Sequence, residues 1–214
     1  MKEILVYGAG GQARVVIDLI EKQAEYRICG LIDDHAAVGT EVLGYPVLGD
    51  SGKIGELAAS GVSLAAVAIG DNLVRRAKTE LLASFGFKFC TIVHPFSSVG
   101  KDTTIGAGSM VFHGAIIDPC VQIGDGAIVN VNAGIGHNCV IGDFAHISAG
   151  VTCGAHAVVG ENAFVCMGAT IVTNLKIGKN AVIGAGSVVT KDVPDNTRVL
   201  GYPARKLGDG LAPV

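Results

Sequence analysis

Histidines and glycine-flanked aspartates are the residues of this chain best suited to chemistry. Histidine titrates near neutral pH and can take a proton from a nucleophile. Six histidines occur, among them His113, His137, His146 and His156. By residue type alone, each is also compatible with a solvated surface role. A zinc site built from histidines at a subunit interface is a further use, although the spacing of these four brings no trio to one level. The aspartates fall into turns. Gly8-Ala9-Gly10-Gly11 follows an apolar stretch, Asp33-Asp34 closes a second, and Gly70-Asp71-Asn72 closes a third.

The histidines lie in a strict repeat. From Val93 to Val189 every sixth residue is apolar, which makes seventeen hexads without a slip. The fifth position of each hexad is mostly small, and the second is often glycine, as in Ile-Gly at 105, 123, 135, 141, 177 and 183. A period of six with β-branched residues is neither helical nor an ordinary amphipathic strand, and it predicts a parallel β-helix. Three hexads make a triangular coil of 18 residues, in which one large and one small residue per hexad point inward. Glycine is expected to take the strained turn conformations. Coils stack about 4.8 Å apart, as paired strands do. In this frame His137 is a third-position residue and points out of the prism. The residues one, two and three coils further are Ala155, Thr173 and Lys191.

The turns lie in an alternating segment. Residues 2–7 read as a strand, 14–22 as a helix, 27–32 and 64–69 as strands, and a charged helix follows to Ser84. Strand, glycine turn and helix in alternation predict a parallel sheet whose ligand sits at the carboxyl ends of the strands, where the three turns meet. The G-x-G-x-x-A turn at Gly8, with Asp33 some distance on, also satisfies a loose dinucleotide fingerprint. That segment ends near residue 90, before a second mononucleotide half could form, which favours a mononucleotide or nucleotide-sugar over NAD. The predicted organisation is therefore an α/β Rossmann-like domain over 1–90 and an all-β parallel helix over 91–214.

Composition narrows the partners. Half of the 214 residues are hydrophobic, 16% are charged and 31 are glycine, a balance that suits many tight turns and argues against disorder. A net charge of −3 without a basic run offers no footprint for nucleic acid or an anionic membrane. No apolar run reaches the roughly 18 residues of a membrane span, and the N-terminus lacks a signal-peptide pattern. Six irregularly spaced cysteines without a C-x-x-C pair suit reduced thiols in the cytoplasm, with no metal expected. Cys139 and Cys153 fall on inward positions, where a thiol acts as a small hydrophobe.

The segments YGAGGQARVV, Asp33-Asp34, AIGDN at 68–72, IVHP at 92–95, GHNCVIGDFAHIS at 136–148 and the closing GYPARK at 201–206 resemble one family across nearly the whole chain. It is the bacterial sugar acyltransferases, which include UDP-4-amino-sugar N-acetyltransferases, GDP-perosamine N-acetyltransferase and sialic acid O-acetyltransferase. The resemblance implies a left-handed helix, a homotrimer, acetyl-CoA in the groove between neighbouring prisms, and a nucleotide-sugar on the N-terminal domain. It implies N-acetylation of a nucleotide-linked amino sugar, with sugar O-acetylation or a non-catalytic trimeric scaffold as alternatives. It makes His137 the general base and puts His146 near the acetyl group. The backbone N–H of Ala155, beside Gly154, becomes the oxyanion donor, and Ala155, Thr173 and Lys191 become the track for pantetheine, with Lys191, Arg198, Arg205 or Lys206 near the CoA phosphates. The nucleotide-sugar falls to Gly8, Gly10, Gly11, Asp33, Asp34, Gly70, Asp71 and Asn72. His113 and His156 are left as surface residues. Two positions depart from the family pattern. Gln12 stands where members commonly carry histidine, and Asn138 stands where an acidic residue commonly follows the catalytic histidine.

Overall fold

The computed structural model describes residues 1–207; the end of the second domain, 208–214, lies outside them. Two compact units are present, 1–95 and 96–214. The first runs a little beyond residue 90 because the segment after it, with Ile92 fully buried, packs against the first helix.

In the first unit β1 (Lys2–Tyr7) is central and buried from Ile4 onward. It pairs in parallel with β2 (Tyr26–Ile32) on one side and with β5 (Leu64–Val67) on the other. Strands β3 (Glu41–Val42) and β4 (Tyr45–Gly49) extend the sheet beyond β2, and β6 (Lys88–Phe89) closes the other edge, giving the order β3-β4-β2-β1-β5-β6. The two hairpin strands and β6 were not predicted; they are short and lack a clean alternation. Helix α1 (Gly11–Gln23) buries Ala13, Val16, Ile17 and Ile20, a spacing that lines one helical face. Between α1 and α3 (Asn72–Ser84) lie a 3-10 turn, Ser51–Lys53, and one short α-helix, α2 (Ile54–Ala59).

The second unit is a parallel β-helix with three faces of two-residue strands. One face stacks Met110–Val111, Ile128–Val129, His146–Ile147, Phe164–Val165 and Val182–Ile183. A second stacks Ser98–Val99, Ile116–Ile117, Gly134–Ile135, Thr152–Cys153, Thr170–Ile171 and Val188–Val189. The third stacks Thr104–Ile105, Gln122–Ile123, Val140–Ile141, Val158–Val159 and Lys176–Ile177. Partners lie one coil of 18 residues apart, as the hexads require, for example Ile117 with Ile135. The last coil is two residues shorter: Ile177 bridges Val193 and Ile183 pairs with Val199. First and fifth positions fill the core, with Val111, Ala115, Val129, Ala133, Ile147 and Ala163 at zero exposure. Ser109 and Ser187 are equally buried at fifth positions, and their hydroxyls are satisfied by backbone: Ser109 donates to Gly124 and accepts from Ala127, while Ser187 accepts from Gly201.

The turn glycines correct one expectation. The left-handed backbone falls on the fourth position of the hexad, not the second. It is taken by glycine at Gly114, Gly126, Gly150 and Gly168, and by Asn132, Asn138, Phe144, His156, Asn162, Asn174 and Asn180, all with φ between 54° and 72°. Asparagine and histidine are among the side chains that tolerate this region best. The second-position glycines serve closeness instead. A Cβ on Gly136 would stand 2.6 Å from the nitrogen of Ala155, and one on Gly142 would stand 2.6 Å from the nitrogen of Glu161. Successive coils touch backbone to backbone at these corners.

Candidate active site

His137 lies on the corner between the second and third faces, just after Gly134–Ile135, and its side chain is exposed. Two neighbours fix it. The side-chain amide of Asn138 lies 2.8 Å from its Nδ1. One coil on, the backbone N–H of His156 donates to the carbonyl of His137 at 3.0 Å, and the two imidazoles meet edge to face, with centroids 5.1 Å apart at 85°. Half a turn of the Asn138 carboxamide brings its oxygen to Nδ1. With the amide nitrogen facing it, Nδ1 accepts and the proton rests on Nε2; with the oxygen facing it, Nδ1 carries the proton and the Nε2 lone pair is free to act as a base. His156 is exposed, as expected of a surface residue, and also shares this corner with His137. Its place was readable, since it follows Asn138 by one coil.

The backbone beside His137 is distinctive. On the next corner, two third-position N–H groups are capped by a carboxylate from the coil above: Ala107 by Asp125 at 2.7 Å and Asp125 by Asp143 at 2.9 Å. Nearer the end of the helix, Asp195 caps Lys179 in the same way. On the His137 corner the stacked residues are His137, Ala155, Thr173 and Lys191, with no carboxylate among them. Thr173 turns its methyl toward Gly154. Among the described residues no acceptor meets the N–H of Ala155. This leaves a donor beside an imidazole, which is the pairing an acyl-transfer transition state needs. Further along the row Lys191 lines a cavity of about 450 Å³ with Val189, Pro194, Arg205 and Lys206; Arg198 is not among its walls.

His146 is elsewhere. It is buried on the first face, opposite the corner of His137, with its Nε2 3.3 Å from the Asn130 amide and its ring 4.7 Å from that of Phe164. One chain therefore does not bring His137 and His146 together. Asn130, unnoticed in the sequence, is held against this ring.

Cys139 and Cys153 are buried in the prism beneath the corner. Cys139 donates to the carbonyl of Gly154 at 3.1 Å, and burial pushes the Cys153 thiol up to about 12. All six cysteines are free.

In the first unit the three turns do converge at the carboxyl ends of β1, β2 and β5. Gly8 has φ +117° and a Cβ there would stand 2.8 Å from the carbonyl of Ala68, whereas a Cβ on Gly10 or Gly11 would meet nothing within 4 Å. The space over Gly10 and Gly11 is open. The Nε2 of Gln12 is buried without a partner, and its Oε1 lies near Gly70.

The acidic residues are engaged within the unit. Asp33 accepts from the backbone of Ala9, His35 and Ala36 at 2.8–2.9 Å. Burial works against its charged form, but these three N–H groups prevail and its carboxyl stays below the usual range. Asp34 accepts from Tyr7 at 2.8 Å, Lys78 at 2.6 Å and the backbone of Ser51 at 3.0 Å. Asp71 caps α3 through the N–H of Val74 at 2.9 Å. The turn after β5 rests on Arg75, a buried cation that donates to Ile69 and Gly70 at 3.1 Å and to Asn72 at 2.9 Å. Burial lowers the guanidinium to about 10, so it stays charged at neutral pH. Lys78 carries no sequence signal, because its partner Asp34 lies far along the chain, and two of the three bonds of Arg75 go to backbone carbonyls.

The Tyr7, Asp34 and Lys78 network has a testable sign. Burial opposes ionisation of Asp34, and the bonds from Lys78, Tyr7 and Ser51 outweigh it, holding the carboxyl well below the carboxylate range. A depressed carboxyl stabilises the fold above its unfolded value of about 3.9, and that contribution is lost as pH falls below it. Lys78→Met should therefore cost about 1 kcal/mol at neutral pH, measured by urea unfolding, and the gap should narrow below about pH 4. A pH-independent gap would mean that Lys78 acts through its apolar stem.

Residues 3–82 match the family described as the PglD N-terminal domain, and residues 156–191 match the bacterial transferase hexapeptide repeat. A histidine-to-asparagine variant of perosamine N-acetyltransferase from Caulobacter crescentus, solved with CoA and GDP-perosamine, is 32% identical. It superposes with a TM-score of 0.94 over 98% of both chains. The acetyltransferase domain of PglB from Neisseria gonorrhoeae, solved with acetyl coenzyme A, is 32% identical with a TM-score of 0.88, over 96% of this chain and 99% of that one. UDP-N-acetylbacillosamine N-acetyltransferase of Bacillus subtilis is 32% identical over 114 residues, 52% of this chain and 51% of that protein. The chain thus matches about half the length of that curated relative. Among the described residues no helix is long and apolar enough to cross a membrane.

Proposed function

Since the chain belongs to the bacterial sugar acyltransferases that join a PglD N-terminal domain to a left-handed hexapeptide-repeat β-helix, we propose that His137 is the general base of an acetyl-CoA-dependent N-acetyltransferase acting on a nucleotide-linked amino sugar. The observation that carries this reading is the corner where an exposed imidazole meets the uncapped N–H of Ala155. The substrate amine attacks the thioester carbonyl while Nε2 of His137 takes its proton. The tetrahedral oxyanion is held by the N–H of Ala155. Collapse breaks the C–S bond, and the departing thiolate receives the proton from the imidazolium, leaving amide and free CoA. No covalent enzyme intermediate is needed.

Pantetheine lies along Ala155, Thr173 and Lys191, three coils at the strand spacing, and Lys191, Arg205 and Lys206 serve the CoA phosphates. The nucleotide-sugar lies over Gly10 and Gly11, beside the turns at Gly8 and Gly70. The unpartnered amide of Gln12 supports a polar ligand there. Asp33, Asp34, Asp71 and Asn72 shape that site through their internal bonds. The hydrogen bond of Asn138 to His137 weighs against a non-catalytic scaffold, whose motive was the missing carboxylate.

The working form is a cytoplasmic homotrimer serving surface-glycan synthesis. His137 and His146 lie on opposite sides of one prism, so a site that uses both needs a neighbouring copy, and Ile116 and Met167 leave apolar surface for it, 57% and 64% exposed.

The test is a panel of UDP-, GDP- and CMP-linked 4-amino sugars incubated with acetyl-CoA and followed by release of free thiol. One nucleotide class should be turned over at least about tenfold faster than the others, a difference of about 1.4 kcal/mol. No acceptor-dependent thiol release with any member would sink the reading, and a stable monomer in light scattering would remove the site between prisms.

A further inference from the structure

We infer that His156 is a positioning residue for His137, acting through ring contact; this rests on the proposed role of His137 as base. Asn138 alone is a weak guide for that imidazole. It offers one neutral hydrogen bond at 2.8 Å, and a carboxamide presents either oxygen or nitrogen by rotation, whereas a carboxylate only accepts. An exposed imidazole held at one nitrogen can still swing about its χ2. The ring of His156, edge to face at 5.1 Å and 85°, closes off that swing. Contacts of this geometry are worth about 0.5–1.5 kcal/mol between aromatic rings.

The backbone makes the contact dependable. His156 occupies a left-handed corner with φ 59° directly above Asn138 with φ 58°, and its N–H is tied to the carbonyl of His137. It also follows Ala155, so a single short segment carries the oxyanion donor and the wall of the base. Ring and donor are set together by the stacking of one coil on the next.

The fold itself suggests the substitutions. Asn174 holds this left-handed corner one coil on; on the adjacent corner Asn162 and Asn180 hold the equivalent position, and Phe144 holds it there with an aromatic ring. His156→Asn therefore removes the ring without straining the turn, and His156→Phe restores a ring without a titratable nitrogen.

Kinetics are measured with acetyl-CoA and the panel sugar turned over fastest, beside His137→Ala and the double variant. The expected result is a fall of about five- to thirtyfold in kcat for His156→Asn, with both KM values within about twofold and recovery to within about threefold in His156→Phe. In the His137→Ala background, His156→Asn should change nothing further, because residues acting as a unit are non-additive. Long-range ¹⁵N correlations of the His137 ring should also broaden or shift in His156→Asn and return in His156→Phe. The inference is overturned by wild-type kcat in His156→Asn, by a loss confined to KM, or by a loss that persists without the His137 ring. A His156→Phe enzyme as slow as His156→Asn would overturn it in favour of proton transfer by His156 itself. An active His137→Ala enzyme would instead defeat the underlying reading of the base.

Discussion

His137→Ala should lower kcat/KM by about 10²- to 10⁴-fold, the range that general-base help contributes, while CoA binding persists. The imidazole sits at the surface of a corner whose core is built by other residues: Ile135, Cys139 and Cys153 beneath it are buried without it. Its removal leaves no cavity and breaks no ladder bond, since its carbonyl still accepts from His156. The loss should therefore appear chiefly in turnover, with melting temperature lowered by no more than the lost ring contact with His156. In the proposed site CoA is held by backbone and by Lys191, Arg205 and Lys206, so its dissociation constant in a calorimetric titration should change by less than about threefold. Activity within about threefold of wild type would mean that the substrate amine sheds its proton unaided and that His137 only positions it.

The sequence disclosed the prism almost completely because a stacked coil repeats one packing problem every 18 residues, and each inward position must be solved by a residue of the right volume. Ile135 and Ala133 look the same in the sequence as in the structure. The role of the glycines was misassigned for a related reason. Periodicity shows that Gly136 recurs in phase, but not whether it recurs for its φ or for want of a Cβ, and here the second holds. In the first unit the central strands were legible from their apolar runs, while β3, β4 and β6 are two to five residues long and draw their stability from neighbours remote in sequence. The geometry of the candidate site was legible where stacking arithmetic reaches it, as in the placing of Ala155 one coil beyond His137. The partners of Asp34 were not, because Lys78 joins it across 44 residues with no period between them. His146 shows the opposite limit. Its motif is adjacent to that of His137 in the chain, and yet the coil turns it to the far face.

Gly136→Ala should damage the helix twice, in its packing and in its chemistry. The added methyl would stand 2.6 Å from the nitrogen of Ala155 and 3.0 Å from its Cα. Both are backbone atoms of a stacked coil, so no side chain can yield and the coils must part locally. Overpacking of this kind costs about 1–3 kcal/mol. The atom pushed away is the proposed oxyanion donor, and losing such a donor costs about 10²–10³ in kcat. Gly142→Ala separates the two effects. Its methyl would stand at the same 2.6 Å from a stacked backbone nitrogen, that of Glu161, on a corner without His137. The two variants should lose similar stability in chemical denaturation, while only Gly136→Ala loses turnover by about 10² or more. Similar kcat values in the two would show that the N–H of Ala155 takes no part in the transition state, and the oxyanion would then have to be held by another donor.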